Sequence, residues 1–192
     1  MFAPNIVCAS FNNSPALEEE FMRRKRELIE GAFYHVTSRT NNKICVFDRK
    51  IGRKIMLLSL RDAKQKYQFS LANFCIMPTH IHLLIRPKEG TCLSRIIQEI
   101  KTRSAKWWNF VHGGIDHMWG ERFYSRVIRN RQEYQHVMNY IDQNPVAAGF
   151  TLSPAEWSGS GAFYKVHNIP DLVDCFPHER LNYIKLLEPP KR

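Results

Sequence analysis

The sequence predicts an α+β domain with the ferredoxin-like split βαβ arrangement, an antiparallel four-stranded sheet with helices on one face, followed by a C-terminal helix. Three observations carry that expectation. Short runs with strand-like alternation and β-branched or aromatic content occur at four places. Helical runs, with apolar residues three and four apart, lie between them. The order is β-α-β-β-α-β and then one more helix.

The first strand is Phe33 to Ser38, and Arg39 to Lys43 is a polar turn. Asp48 is placed to N-cap a helix through Ala63, with Ile51, Ile55 and Leu58 as its apolar stripe. Tyr67 to Ile76 forms a second strand. Pro78 and Thr79 link it to a third, His80 to Arg86, which Pro87 and Gly90 stop. In this topology the third strand is central. Thr91 to Val111 is a long helix with Leu93, Ile96, Ile97, Ile100, Ala105 and Trp108 near one face, ended by Gly113 and Gly114. Arg122 to Ile128 alternates as the fourth strand. Asn130 caps a final helix that runs to Asn144 and stops before Pro145.

The flanks read differently. Residues 1–15 are polar and irregular, and Pro15 to Glu30 is a short helix, acidic first and basic later. After Gly149 the chain turns irregular, with Trp157, Phe163 and Tyr164 as anchors and a helix-like stretch from Leu181 to Leu187. The expected organisation is an N-terminal tail and helix over 1–30, a catalytic domain over 31–150, and an accessory segment over 151–192. That segment either packs on the domain or reaches along a substrate.

Composition narrows the class. The 192 residues carry a net charge of +10, which favours an anionic partner, nucleic acid before membrane. No apolar run is long enough for a membrane span, and the N-terminus lacks a signal-peptide pattern. The five cysteines are odd in number and form no C-x-x-C pair, so a disulfide framework and a cysteine zinc site are both disfavoured. Cys45, Cys75 and Cys92 are expected in the core. The expected compartment is the cytoplasm, at the nucleoid.

The most informative stretch is Met77-Pro78-Thr79-His80-Ile81-His82-Leu83-Leu84. Strand side chains alternate, so His80 and His82 share one face of the sheet. Two neighbouring imidazoles can ligate a divalent metal. On the last helix Tyr140 and Asn144 are four residues apart and share a face. Together these residues form a coherent chemical set. His80, His82 and the Asn144 carbonyl hold the metal, which draws charge from a phosphate, and the Tyr140 hydroxyl attacks phosphorus. A free phenol has a pKa of about 10 and needs such help at neutral pH. Mixed nitrogen and oxygen ligands suit Mg²⁺ or Mn²⁺ better than structural zinc.

Tyr134 is the rival nucleophile, but four residues beyond it stands Met138, a poor hard-metal ligand. Tyr124 reads as a packing or stacking residue. Asp142 is either a solvated helix residue or a support for the site. His35 sits on a strand with no histidine at the right spacing and reads as packing. His112, His117, His136, His167 and His178 read as surface or capping residues.

At this point the sequence resembles a known family. The H-x-H stretch, the turn Ser38-Arg39-Thr40-Asn41-Asn42, the run Trp119-Gly120-Glu121-Arg122-Phe123-Tyr124-Ser125, and Tyr140-Ile141-Asp142-Gln143-Asn144-Pro145-Val146-Ala147-Ala148-Gly149 are similar to the REP-associated branch of the single-tyrosine HUH transposases. The similarity covers roughly residues 30 to 165 and is specific because H-x-H and Tyr-x-x-x-Asn-Pro-x-x-Ala-Gly occur together. It implies a single-strand DNA endonuclease and strand transferase that forms a 5′-phosphotyrosine bond and frees a 3′-hydroxyl. It places the nucleophile at Tyr140 and the metal ligands at His80, His82 and Asn144. It implies single-stranded DNA with hairpins or palindromic repeats as partner, and a monomer, although dimers occur among relatives. The family turn usually reads Ser-Arg-Gly-x-Asn. Thr40 occupies the glycine place here, which disfavours a positive φ at that point.

Arg122, Arg126 and Arg129 cluster in sequence. With Arg39, Asn41, Arg103, Lys106 and Trp107 they form the expected DNA-binding set, the cations for phosphates and the tryptophan for an unpaired base. Trp108 is expected in the core and Trp119 is a further stacking candidate. The alternative function is a non-catalytic nucleic-acid-binding or regulatory module of the same fold.

Overall fold

A computed structural model describes residues 29–114, 117–120, 122–170 and 172–174. The expected N-terminal tail, all but the last two residues of the helix that follows it, and the Leu181–Leu187 stretch lie outside the described residues. So do Cys8, Cys175 and His178.

The chain builds β1 (Phe33–Arg39), α1 (Lys50–Tyr67), β2 (Ser70–Met77), β3 (His80–Arg86), α2 (Leu93–His112), β4 (Tyr124–Ile128), α3 (Arg131–Ala147) and α4 (Gly161–Val166). Short 3₁₀ turns occur at Asn41–Lys43 and Pro154–Glu156. The sheet order is β2-β3-β1-β4, and every neighbouring pair is antiparallel. This is the arrangement the sequence predicts, with β1 and β3 at the centre.

Alternation divides the sheet into two faces. One carries Tyr34, Val36, Phe74, Ile76, Ile81, Leu83 and Ile85 and packs against α1 and α2 through Met56, Leu60, Ala63, Ile96, Ile97 and Ile100. On the other face Phe33, Cys75, Met77, Leu84 and Ile128 meet Tyr134, Val137 and Ile141 of α3. The third helix therefore covers part of the face that the two-layer prediction leaves open. The uncovered part holds the polar residues described below.

Several local expectations need correction. Asp48 does not cap α1. The N-cap is Arg49 with no side-chain cap bond, and Arg53 donates to the Asp48 backbone carbonyl instead. Of the predicted stripe, Ile51 and Leu58 are exposed, and the buried face is Ile55, Met56, Ser59, Leu60 and Ala63. Ser59 is tolerated there because its hydroxyl donates to the Ile55 carbonyl within the helix. Tyr67 ends α1 rather than starting β2, since Gln68 adopts a left-handed C-cap. Cys45 and Cys92 are exposed, and only Cys75 of the expected three is in the core.

Asn130 caps α3 as expected. Its side chain accepts from the Glu133 amide at 2.8 Å, while the Glu133 carboxylate accepts from the Arg129 amide. The helix does not stop before Pro145 but runs to Ala147. Proline is accommodated in the last turn, where few further intrahelical bonds remain to be broken. Gly149, at φ 74°, then turns the chain back as its amide donates to the Val146 carbonyl.

The segment after Gly149 packs along β2, the sheet edge. Trp157 donates its indole N–H to the Ile76 carbonyl, and the Ile76 amide donates to the Gly159 carbonyl. The Asp174 carboxylate accepts from the Leu71 amide and from Lys64. Gly161 lies so close to the Asn73 side chain that a Cβ would collide with its amide oxygen. Of the expected anchors, Tyr164 is buried and Phe163 packs at the core margin. Edge β2 thereby gains partners for its outward backbone groups. No helix among the described residues is long and apolar enough to cross a membrane.

Candidate active site

The site is built on three strands and one helix. In register, Thr37 faces His82 on one side and Tyr124 on the other, while His35 faces Leu84 and Arg126. Residues 35, 37 and 39 of β1, 80 and 82 of β3, and 124 and 126 of β4 thus share one sheet face. The chain folds into alternation here because the intervening Tyr34, Val36, Ile81, Leu83 and Val127 are held by the opposite core. Tyr140 reaches over this floor from α3, whose position is set by Tyr134, Val137 and Ile141. Between helix and floor lies a cavity of about 720 Å³ lined by His35, Thr37, Arg39, His82, Gly120, Arg122, Tyr124, Arg126, His136, Val137 and Tyr140. Among the described residues its titratable lining is histidine, tyrosine and arginine.

His82 is 5% exposed and lies at the floor. Burial, followed by the nearby His35, His80 and Arg39, lowers its pKa to about 3, so the imidazole is neutral at physiological pH. Its Nδ1 lies 3.1 Å from His35 Nε2 and 3.2 Å from Thr37 Oγ1, whereas its Nε2 is buried with no hydrogen-bond partner. His80 is half-buried, and burial followed by Arg39 lowers its pKa as well. Its Nδ1 lies 3.1 Å from Thr79 Oγ1, and its ring stands edge-on to His82 with centroids 5.0 Å apart.

Tyr140 is 47% exposed. Its ring meets His82 edge-on at 5.5 Å and His35 at 5.8 Å between centroids. Asn144 follows one turn later, and its amide donates to the Tyr140 carbonyl at 2.7 Å, which leaves its side-chain oxygen as the acceptor. Tyr134, by contrast, is 4% exposed and packs edge-on against Phe33, and burial raises its pKa to about 12. The structure brings His80, His82 and Tyr140 together and sets Asn144 beside Tyr140. Asp142 turns towards β2, where it accepts from Asn73 at 2.7 Å, and its partial burial raises its pKa.

The expected DNA-binding residues divide. Arg39, Arg122 and Arg126 line the cavity. Asn41 lies beside it at the start of the 3₁₀ turn, with its backbone amide on the Met118 carbonyl. Arg129 lies beyond β4, next to the cap of α3. Arg103 is not brought to the cavity. Its guanidinium pairs with Glu99 and Asp62 between α1 and α2, behind the sheet. Lys106 and Trp107 are exposed on α2 outside the cavity lining, and Trp107 touches Phe110. Trp119 is held inward, its indole donating to Ser104 and its ring against Phe47.

Two residues are missed from sequence. His35 contacts both His82 and Tyr140, and His136, one turn before Tyr140, lines the cavity. The signal for His35 is cross-strand, since alternation puts 35, 37 and 39 on one face. The signal for His136 is its i−4 spacing from Tyr140.

The turn before the site also differs from the family pattern. Thr40 is extended at φ −67° and 3% exposed, and the positive φ values fall on Asn42 and Lys43. Its hydroxyl donates to the carbonyls of Ile44 at 2.8 Å and Thr79 at 2.9 Å, and its amide also donates to Thr79. The turn is thereby tied to the residue preceding His80.

The chain is similar to known proteins. A REP-associated tyrosine transposase of Escherichia coli K12 is 30% identical over 127 residues, 62% of this chain and 73% of that protein. An uncharacterized protein of Haemophilus influenzae is 25% identical over 145 residues, 59% of this chain and 80% of its own length. A solved structure of a REP-associated tyrosine transposase bound to a REP hairpin has the same fold. Its TM-score is 0.66 at 21% identity, with 81% of this chain and 93% of that chain covered. The family model described as Transposase IS200 like matches residues 29–144, a span that runs from the edge of β1 through Tyr140 to Asn144. With its histidine-floored sheet and its tyrosine-bearing helix inside that span, the chain is an enzyme belonging to the IS200-like transposase family.

Proposed function

We propose that the chain is a metal-dependent endonuclease and strand transferase that cuts single-stranded DNA beside a hairpin, with Tyr140 as nucleophile. One observation carries this reading. An accessible phenol stands edge-on over a neutral imidazole whose Nε2 is buried and unpartnered. Such an orphaned buried nitrogen is costly unless something takes its lone pair. His82, His80 and the Asn144 amide oxygen are neutral donors suited to a Mg²⁺ or Mn²⁺ ion. A DNA phosphate would bring negative charge to such an ion. When bound, the ion would neutralise charge on the attacked phosphate.

The remaining steps follow from the chain's own residues. Arg39, Arg122 and Arg126 hold the phosphodiester against the sheet. Tyr140 Oη attacks phosphorus, the bond to the 3′-oxygen breaks, and a 5′-phosphotyrosine and a 3′-hydroxyl result. The phenolic proton leaves to water on the exposed side of the ring, and water returns a proton to the departing 3′-oxygen. Attack by a 3′-hydroxyl on the phosphotyrosine reverses the step and joins strands. Tyr134 is unsuited to this role because it is buried and its proton is held more tightly.

The test is incubation with hairpin-bearing oligonucleotides from palindromes flanking the gene, followed by denaturing electrophoresis. The expected result is a covalent adduct with the single strand, none with its full duplex, and none with the Tyr140→Phe protein. Chelation should stop the reaction, and Mg²⁺ or Mn²⁺ should restore it. A full-yield adduct in the Tyr140→Phe protein would overturn the assignment. Hairpin binding without any adduct would leave a binding module.

A further inference from the structure

We propose that His35 is a positioning residue that holds His82 in the tautomer able to bind a metal. This rests on the reading of His82 as a ligand. His35 Nε2 and His82 Nδ1 are 3.1 Å apart, so one proton lies between them and one nitrogen must accept it. Two arrangements satisfy that bond. In the first, His35 donates, and the His82 proton then sits on Nε2. That places a buried N–H with no acceptor, because His82 Nε2 has no partner. In the second, His82 donates from Nδ1 and its Nε2 carries a bare lone pair. An unsatisfied buried acceptor is better tolerated than an orphaned donor. Only the second arrangement leaves a nitrogen that can ligate a cation.

Thr37 Oγ1 also lies 3.2 Å from His82 Nδ1, on the same side of the ring as His35 Nε2, which at 3.1 Å is the nearer partner for an Nδ1 proton. The His35 ring is nearly parallel to that of His82, at 24°, so its nitrogen lies close to the plane in which the bond forms. The placement is set by topology. His35 occupies β1 two residues before Thr37, the register partner of His82, and reaches its neighbour diagonally across the pair. Ligating histidines characteristically donate their second N–H to an outer acceptor, and loss of that acceptor typically costs 10–100-fold in metal affinity.

The experiment uses the full chain labelled with ¹⁵N-histidine. Long-range ¹H–¹⁵N spectra of the metal-free protein report the His82 tautomer directly, and Mn²⁺ titration followed by electron paramagnetic resonance reports affinity. Three variants are compared. His35→Leu keeps an apolar side chain of similar reach and removes the acceptor. His35→Gln restores a side-chain oxygen that can accept. His82→Ala removes the ligand. The proposal expects His82 as the Nδ1–H form in the parent chain and a shift towards Nε2–H in His35→Leu. It also expects Mn²⁺ binding weakened about 10–100-fold in His35→Leu and partly recovered in His35→Gln. An Nε2–H form of His82 in the parent chain overturns it, even if the variants fail to fold. Parental tautomer and affinity in His35→Leu also overturn it. If His82→Ala binds Mn²⁺ as the parent does, the ligand reading itself fails. If His82→Ala loses binding while His35→Leu does not, the positioning role alone fails.

Discussion

Replacing Thr40 tests whether this chain has exchanged a glycine turn for a hydrogen-bonded one. Thr40→Val keeps the branched shape and removes the hydroxyl, which donates at 2.8 and 2.9 Å to the carbonyls of Ile44 and Thr79. Thr79 retains the Thr40 amide as a donor, so it is not left bare. The Ile44 carbonyl loses its side-chain donor, but Ile44 is 50% exposed and water can replace it. The loss is therefore close to one net hydrogen bond plus some desolvation, about 1–2 kcal/mol. For a chain of this length that is a fall in Tm of roughly 2–8 °C. Thr40→Gly should cost more, about 2–4 kcal/mol. It loses the same bonds and a buried methyl, and it adds backbone entropy at a φ of −67° that needs no glycine. Urea and thermal unfolding by circular dichroism measure both. A Thr40→Gly protein as stable as the parent would refute the reasoning, because it would mean that the turn stands without the hydroxyl.

Other outcomes follow from the same geometry. Tyr124→Phe and Tyr134→Phe should both keep the covalent adduct, although Tyr124 is 63% exposed and lines the cavity; loss of adduct in either would displace Tyr140 from its role. Stability should fall as pH drops from about 6.5 towards about 4. Folded His35 and His82 stay neutral, with pKa values near 4 and 3, while the unfolded histidines take up protons. Each contributes at most about 1.4 kcal/mol per pH unit in that window, so His35→Leu should flatten the slope in pH-dependent unfolding. Hairpin affinity should decline steeply with salt, and Arg126→Ala should reduce the slope of log K against log salt by about 1, whereas Arg103→Ala should leave it unchanged.

Much of this was legible in the sequence because strand alternation is a local property. The pair His80 and His82, and the pair Tyr140 and Asn144, share faces through spacing within one element. The Asn130 cap and the Gly113 terminus are likewise local signals. What stayed hidden depends on distant groups. His35 has no partner along its own strand and acquires one only through the β1–β3 register. Ile51 and Leu58 fit a helical stripe, yet α1 is rotated so that Met56, Leu60 and Ala63 meet the sheet. Arg103 reads as one more cation until α1 brings Asp62 opposite it. Pro145 marks a probable helix end in sequence, but the turn after it is closed by the Ala148 and Phe150 amides, which donate to the Asn144 and Pro145 carbonyls.

The seal on the β2 edge has a consequence for how the molecule is made. Asp174 grips Leu71 and Lys64 across more than a hundred residues of chain. On a ribosome the catalytic span emerges well before that clasp exists, so β2 passes a period with its outer backbone groups unpaired. Contacts of such long separation form late and slowly, and an open edge in that interval is a route to misassembly. The span from 29 to 144 carries the family match, yet the strand edge it contains is sealed by residues that follow it. The seal waits for the end of the described chain, from Phe150 to Asp174, to close over the strand.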